Sequence, residues 1–503
     1  MKTETKNSVI FYIGSFLISL FSAYLIYFQT SKYGIGMEPH YPLIAQSFLD
    51  KGWGHILVTT DVTYAMLYPF FLAFLSKIFH AEILDAARWL NIVMAFCFSF
   101  FSMVLCRTLT KRLIVLLIFG LFIAFSRPVN FLFPLTQCEP VFIFILLLIT
   151  FSIKKTTYRR LILCGFLTSL AILTRYAGVA IVPSVCLYIF IQKSKISDKV
   201  KKCFCYAITP TLTYILYVAR NYYFTGTLMG PRTSSQTGLL SNIDRALISV
   251  SSWFSGSYLF LTLACSIILG ALIWNHKSEL LSAITKTPET LKFSLCFLVI
   301  YSAFIIVSVT TTALDPLDDR FMSPVFLPIL LILFAFVEFA ISLKNKNKFL
   351  ISGLLALFII ASLLSFYKTI KDINFRKTNG AGGCSTTFWQ EHELLSYIKK
   401  VPINNNEYIF TNNFCITAIL KEHRHIQYIP NKRERGTAKD YSDITLENLL
   451  SSYPHFENGY IFWSLKGYDD IFFSIHELQS ICEIEKIKET SDGILYKVGK
   501  CKR

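Results

Sequence analysis

The first 370 residues are a succession of apolar runs of helix-spanning type, and this pattern confines the chain to a membrane more firmly than any motif. The run cores are Val9–Phe28, Trp89–Cys106, Leu113–Phe125, Val141–Ile153, Leu161–Leu173, Val179–Ile191, Cys203–Val218, Trp253–Trp274, Phe293–Val309, Pro324–Leu343 and Phe349–Phe366. A shorter run, Tyr64–Phe79, is interrupted by Pro69 and reads as a juxtamembrane helix. Only 16% of residues are charged, against about 25% in a soluble domain, which excludes a plain cytosolic enzyme and a disordered chain. In lipid, each run must satisfy its own backbone polar groups, so the runs are helices. The expected fold class is therefore an all-α polytopic membrane protein, with about 11 transmembrane helices plus one juxtamembrane helix.

A net charge of +17 invites a nucleic-acid partner, but its distribution argues otherwise. Residues 371–503 carry 18 Lys/Arg against 17 Asp/Glu, whereas residues 1–370 carry 31 against 15. The excess lies in short segments between apolar runs, where positive-inside topology accounts for it, so no nucleic acid is expected. If Tyr64–Phe79 lies on the surface, 20 of those 31 basic residues fall on the inner side. If it spans, most of these clusters face outward, against the usual bias. The expected topology has a cytoplasmic N-terminus, an uncleaved signal anchor at Val9–Phe28 and an outward C-terminus. Most acidic residues, including Glu38, Asp61, Glu139, Asp315 and Asp319, then lie on the outer face.

Residues 371–503 read as a separate soluble domain of mixed α/β type, joined through Gly380-Ala381-Gly382-Gly383. Thr386–Lys400 reads as a helix, and Tyr408–Thr411, His425–Ile429, Tyr460–Trp463 and Ile494–Val498 as strands. Its four cysteines, Cys384, Cys415, Cys482 and Cys501, allow three pairings, and one or two disulfides are expected in an oxidising compartment. No metal-type cysteine spacing occurs, so no structural zinc is expected.

Chemistry is sought in residues 29–88, the first outer loop, and at the outer helix ends. Glu38 precedes Pro39 at a helix start, where a carboxylate serves equally as a helix-dipole partner or as a general base. Glu139 enters the fourth run, and Arg127, Arg175, Arg220 and Arg320 stand at outer helix ends. A single arginine there is accounted for by snorkelling to the headgroups. Several ionisable groups at separate helix ends instead suggest a polar cavity. Arginine forks match phosphate oxygens, and a nearby carboxylate could deprotonate an attacking hydroxyl.

An ordered set of motifs strengthens that reading. It comprises Glu38 with Tyr41 and Ala45, Leu67-Tyr68-Pro69, Glu139-Pro140, Leu173-Thr174-Arg175-Tyr176, Arg220-Asn221 and Asp319-Arg320. Across residues 1–370 this set resembles the GT-C glycosyltransferases, more narrowly bacterial members of the protein mannosyltransferase and aminoarabinose transferase clan. The outward domain, with Ile409-Phe410-Thr411-Asn412-Asn413 and Tyr428-Ile429-Pro430, is similar to domains of uncharacterised members. The resemblance implies inverting transfer of a sugar from a polyprenyl-phosphate donor to a glycan, lipid or protein acceptor outside the membrane. A divalent metal is optional, and no residue is assigned to one.

Glu38 stands where the family usually has aspartate, and Ala65-Met66-Leu67 replaces its usual double proline. Asp61 is the alternative base, Glu139 a second acid, and Arg127, Arg175, Arg220 and Arg320 the pool of donor-phosphate contacts. The expected location is the bacterial plasma membrane. Two rivals remain at this stage: a glycolipid transporter or flippase, and a non-catalytic component of a surface-glycan assembly system. The first predicts internal repeats and midplane charges, neither of which is evident.

Overall fold

The computed structural model describes residues 2–51, 55–56, 59–60, 64–230, 232, 234–255, 288–342, 348–400, 407–420, 425–432, 446–450, 453, 455–465 and 472–502. Asp61 and most of the expected Trp253–Trp274 span lie outside these residues.

The membrane portion is helical. Helix α1 (Lys2–Gln29) packs against α4 (Ile83–Cys106) and α5 (Leu113–Ala124). Between α1 and α4 lie α2 (His40–Lys51), a short β1–β2 hairpin (His55–Ile56 with Thr59–Thr60) and α3 (Leu67–Phe79). Short α6 (Arg127–Leu132) precedes α7 (Glu139–Ser152), α8 (Tyr158–Thr174), α9 (Ile181–Phe190), α10 (Ile196–Thr225) and α11 (Leu239–Ser255). After residue 287 come α12 (Glu289–Thr311), α13 (Asp319–Met322), α14 (Phe326–Ser342) and α15 (Lys348–Asn379).

The side chains of this bundle are distributed for lipid. On α1, Ser15, Ser19 and Ser22 are buried while Phe16, Leu17, Leu20 and Tyr24 are exposed. A water-soluble helix would reverse that arrangement. The buried serines permit close packing, and Ser19 donates to the Ser15 carbonyl at 2.7 Å.

Among the described residues, five helical stretches are long and apolar enough to cross a membrane: Ser8–Gln29, Ile83–Cys106, Leu113–Leu132, Glu289–Thr311 and Asp319–Phe339. The expected count was about eleven. Part of the difference arises because apolar runs near 13 residues are shorter than a full span, and most of Trp253–Trp274 lies outside the described residues. Leu67–Phe79, Glu139–Ser152 and Tyr176–Phe190 are such shorter helices.

The C-terminal domain is mixed α/β. Its five-stranded sheet has the order β4-β3-β5-β7-β6, formed by Ile426–Tyr428, Ile409–Thr411, Tyr460–Ser464, Gly493–Cys501 and Cys482–Glu489. The first two pairings are parallel, and β7 runs antiparallel to both β5 and β6. Alternation along the strands divides the core in two. Ile409, Phe462 and Leu495 join one cluster with Trp389 and Leu394, whereas Phe410, Ile461 and Tyr496 join the other with Phe456 and Leu478. The expected helix over 386–400 is two short pieces, Thr387–Gln390 and Glu393–Ile398. The disulfides are Cys384–Cys415 and Cys482–Cys501.

The two parts meet through their cores, and Leu84 of α4 packs against the first of the domain clusters. Met37, from the loop before α2, is 5% exposed and belongs to the first of these domain clusters.

Candidate functional site

The loop between α1 and α2 brings Glu38 to the head of α7. Thr136 brackets its backbone: the Glu38 amide donates to Thr136 Oγ1 at 2.8 Å, and that hydroxyl donates to the Glu38 carbonyl at 3.2 Å. The Glu38 side chain is half-buried. One helical turn on, Tyr41 places its hydroxyl 3.1 Å from Cys138 Sγ, which is 3.6 Å from Glu139 Oε2. Burial, then Cys138 and Glu139, hold the Tyr41 phenol well above its ordinary pKa, so it stays protonated. A chain of polar side chains thus runs from the Glu38 helix to Glu139.

Glu139 is 2% exposed at the first position of α7, where the helix dipole favours its charge. Its Oε1 faces two guanidinium groups, Arg175 at 3.4 Å and Arg320 at 3.8 Å. Arg175 occupies the extended turn that ends α8, and Arg320 lies in the first turn of α13. Burial opposes the Arg175 charge, but Glu139, Tyr301, Cys138 and Tyr41 together outweigh it and raise the pKa. The two arginine segments are also tied to one another, because Arg175 donates to the Arg320 carbonyl at 3.4 Å. Arg320 pairs with Asp315 at 2.6 Å, while its buried Nε has no hydrogen-bond acceptor among the described residues. Tyr301, from α12, fixes the same turn by donating to the Phe321 carbonyl at 3.1 Å.

A second cluster sits beside the first. Asp319 is 7% exposed and accepts from Arg127 at 2.6 Å, Ser249 at 2.8 Å and the Trp253 indole at 2.8 Å. Arg127 also lies 3.7 Å from Asp372 on α15. Residues from two helices, α6 and α11, therefore converge on a carboxylate adjacent in sequence to Arg320.

No family model matches the sequence. No curated protein matches it either. Among solved structures, ArnT from Cupriavidus metallidurans in the apo state matches with a TM-score of 0.58 and 11% identity, covering 98% of each chain. The chain shares the fold of this protein over nearly its whole length. The same ArnT bound to undecaprenyl phosphate aligns over 97% of each chain, at 11% identity and TM-score 0.58. The apo oligosaccharyltransferase of Archaeoglobus fulgidus aligns with 90% of this chain and 69% of its own, at 12% identity and TM-score 0.50.

The fold brings together Glu139, Arg175 and Arg320, with the Glu38 backbone joined to the same segment through Thr136. Arg127 pairs with Asp319 and Asp372 rather than with Glu139. Arg220 donates to Asn221 at 3.1 Å, and Asn221 donates to the Tyr176 hydroxyl at 3.0 Å, so it adjoins the Arg175 turn. Sequence reasoning gave no role to Thr136, Tyr301, Ser249 or Trp253. Their contributions are contacts across 20 residues or more, which leave no local spacing signal. Among the described residues, no three His, Cys, Asp or Glu side chains converge as a metal ligand set.

Proposed function

We propose that the chain transfers a sugar from a polyprenyl-phosphate donor to a hydroxyl acceptor at the outer membrane face, with inversion. The observation that carries this reading is the pair of arginines sharing one buried carboxylate in a GT-C fold. The two guanidinium forks converge on one carboxylate, and Arg320 Nε has no acceptor among the described residues, an arrangement suited to the doubly ionised phosphate that forms as the donor bond breaks. A solved protein of this fold was captured with undecaprenyl phosphate, which supports a lipid phosphate as the donor carrier.

In the proposed reaction the acceptor oxygen attacks the anomeric carbon and the carbon–oxygen bond to phosphate breaks. The bond electrons leave with the lipid phosphate, held by Arg175 and Arg320. The acceptor proton passes to Glu38, with Asp61 as the alternative base. Glu139 keeps the two arginines apart and aligned and orients the acceptor. Arg220 adjoins the same turn, and Arg127 acts by fixing the backbone beside Arg320.

The wider reading has about eleven spans, a cytoplasmic N-terminus, a catalytic first loop over 29–88 and an extracytoplasmic domain over 371–503 in a bacterial plasma membrane. The test is complementation of a deletion strain, with surface glycans and lipids compared by mass spectrometry. Wild type is expected to restore one sugar mass that a normally expressed Glu38→Gln does not. Full restoration by Glu38→Gln removes Glu38 from the role of base.

A further inference from the structure

Residues 35–38 are held on both sides. On one side Gly36 donates to the Pro134 carbonyl at 2.7 Å, Thr136 donates back to Gly36 at 2.8 Å, and Thr136 Oγ1 brackets Glu38. On the other side stand residues of the C-terminal domain. The Cys384 amide donates to the Met37 carbonyl at 2.9 Å, and Ser385 Oγ accepts from the Met37 amide at 3.2 Å and donates to the Ile35 carbonyl at 2.7 Å. The approach is close enough to require glycine. A methyl on Gly383, itself at φ 55°, would collide with the Met37 carbonyl, and one on Gly36 would collide with the Leu135 side chain.

The domain side of this clamp is anchored covalently. Cys384 is bonded to Cys415, which opens the short helix Phe414–Ile419. That helix is capped by Asn413, whose side chain accepts from the Cys415 amide at 2.8 Å. Its neighbour Asn412 exchanges two hydrogen bonds with Ser464, at 2.9 and 2.8 Å, at the end of central strand β5. A continuous path therefore runs from the middle of the sheet, through the disulfide, to the residue before Glu38.

We propose that Gly383–Ser385 is a strap through which the C-terminal domain positions the first-loop carboxylate, and that the Cys384–Cys415 bond keeps the strap in place. Ser385 and Cys384 are positioning residues, acting through Met37 on Glu38. The functional part of this proposal rests on the reading of Glu38 as base, while the mechanical part stands without it. The second disulfide, Cys482–Cys501, joins β6 to β7 at the opposite edge of the sheet and serves as the internal control.

The test is hydrogen exchange by mass spectrometry on the full-length protein in nanodiscs. Cys384→Ala/Cys415→Ala is expected to exchange at least tenfold faster over residues 35–38. Cys482→Ala/Cys501→Ala should leave that segment within twofold of wild type, and peptide 141–151 should be unchanged in both. Ser385→Ala is expected to accelerate residues 35–38, and Ser385→Thr, which keeps the hydroxyl, to restore protection. Wild-type exchange over 35–38 in both Cys384→Ala/Cys415→Ala and Ser385→Ala overturns the proposal.

Complementation of the deletion strain separates the two readings. If Glu38→Gln restores the sugar while Cys384→Ala/Cys415→Ala loosens residues 35–38, the base assignment falls and the strap stands. If Glu38→Gln abolishes it while the cysteine variant keeps wild-type exchange and transfer, the strap falls and the base stands.

Discussion

Two carboxylates one short helix apart in space are handled in opposite ways. Asp319 accepts three hydrogen bonds between 2.6 and 2.8 Å, from a guanidinium, a hydroxyl and an indole. Glu139 is as deeply buried, yet its arginines stand at 3.4 and 3.8 Å and one donor, Arg320 Nε, has no acceptor among the described residues. Short charge-assisted bonds that use up the lone pairs make a lock. Long contacts from two cations to one anion leave attraction unspent for a further anion. The difference separates a carboxylate whose contacts are all short from one whose arginines stand further off, although Arg320 also holds Asp315 at 2.6 Å, a distinction that exposure alone does not make.

Breaking the lock should have the largest effect. Asp319→Asn turns an amide N–H toward Arg127 and leaves that guanidinium with only the distant Asp372, which is expected to cost about 3 kcal/mol. Thermal unfolding and the yield of monodisperse protein measure it. A fall of a few tenths of a kcal/mol would mean that Asp319 is no lock.

The same change at the looser site should behave differently. Glu139→Gln is expected to cost about 1–2 kcal/mol, since its contacts are longer, and to abolish sugar transfer. Undecaprenyl phosphate should nevertheless bind at least as tightly, because the arginines lose their competing anion. Weaker binding in a folded Glu139→Gln protein would reverse the roles assigned to the two clusters.

A third carboxylate contact, in the C-terminal domain, sharpens the comparison through pH. His392 is 1% exposed, stacked on Trp389 at an interplanar angle of 3°, with Nδ1 3.1 Å from Asp492. Burial holds its pKa below the ordinary value, against the opposing pull of Asp492 and Glu393. Unfolded histidine titrates near about 6.5. The unfolded chain therefore takes up the proton first as pH falls. Stability is complete above that value and is lost as pH drops through it toward the lower native pKa. Hydrogen exchange of strands β5 and β7, corrected for intrinsic rate, should show less protection at pH 5.5 than at 7.5, and His392→Gln should flatten the difference. The effect should be smaller than either carboxylate substitution, and an unchanged slope would contradict it.

The smallest change is expected at Arg220, which contacts the neighbouring Asn221 and the Phe224 ring on its own helix. Arg220→Gln should shift stability by less than about 0.5 kcal/mol and phosphate binding by less than threefold. A larger loss would place Arg220 among the phosphate contacts.

These contrasts mark what could be read from the chain and what could not. Apolar length and positive-inside bias revealed a helical membrane body, because lipid imposes those patterns directly. The same reading did not separate full-length spans from shorter apolar helices, since a run such as Val141–Ile153 became the 14-residue helix Glu139–Ser152. In the domain, strands with alternating apolar residues were visible, as Tyr460–Ser464 illustrates. The edge strand Cys482–Glu489 was not, because its Glu and Lys side chains mostly face solvent, as an edge requires. At the site, residue types at helix ends pointed to Glu139, Arg175 and Arg320. Which arginine would be captured by Asp319 depended on Ser249 and Trp253, at separations of 70 and 66 residues. Sequence spacing carries no trace of such a choice.

The most direct measurement is the affinity of purified protein for undecaprenyl phosphate, comparing wild type with Arg320→Gln at fixed salt. The account predicts a loss of at least tenfold, with the protein folded and Arg220→Gln within threefold of wild type. Wild-type affinity in Arg320→Gln would contradict it, and the arginines around Glu139 would then have no claim to the phosphate.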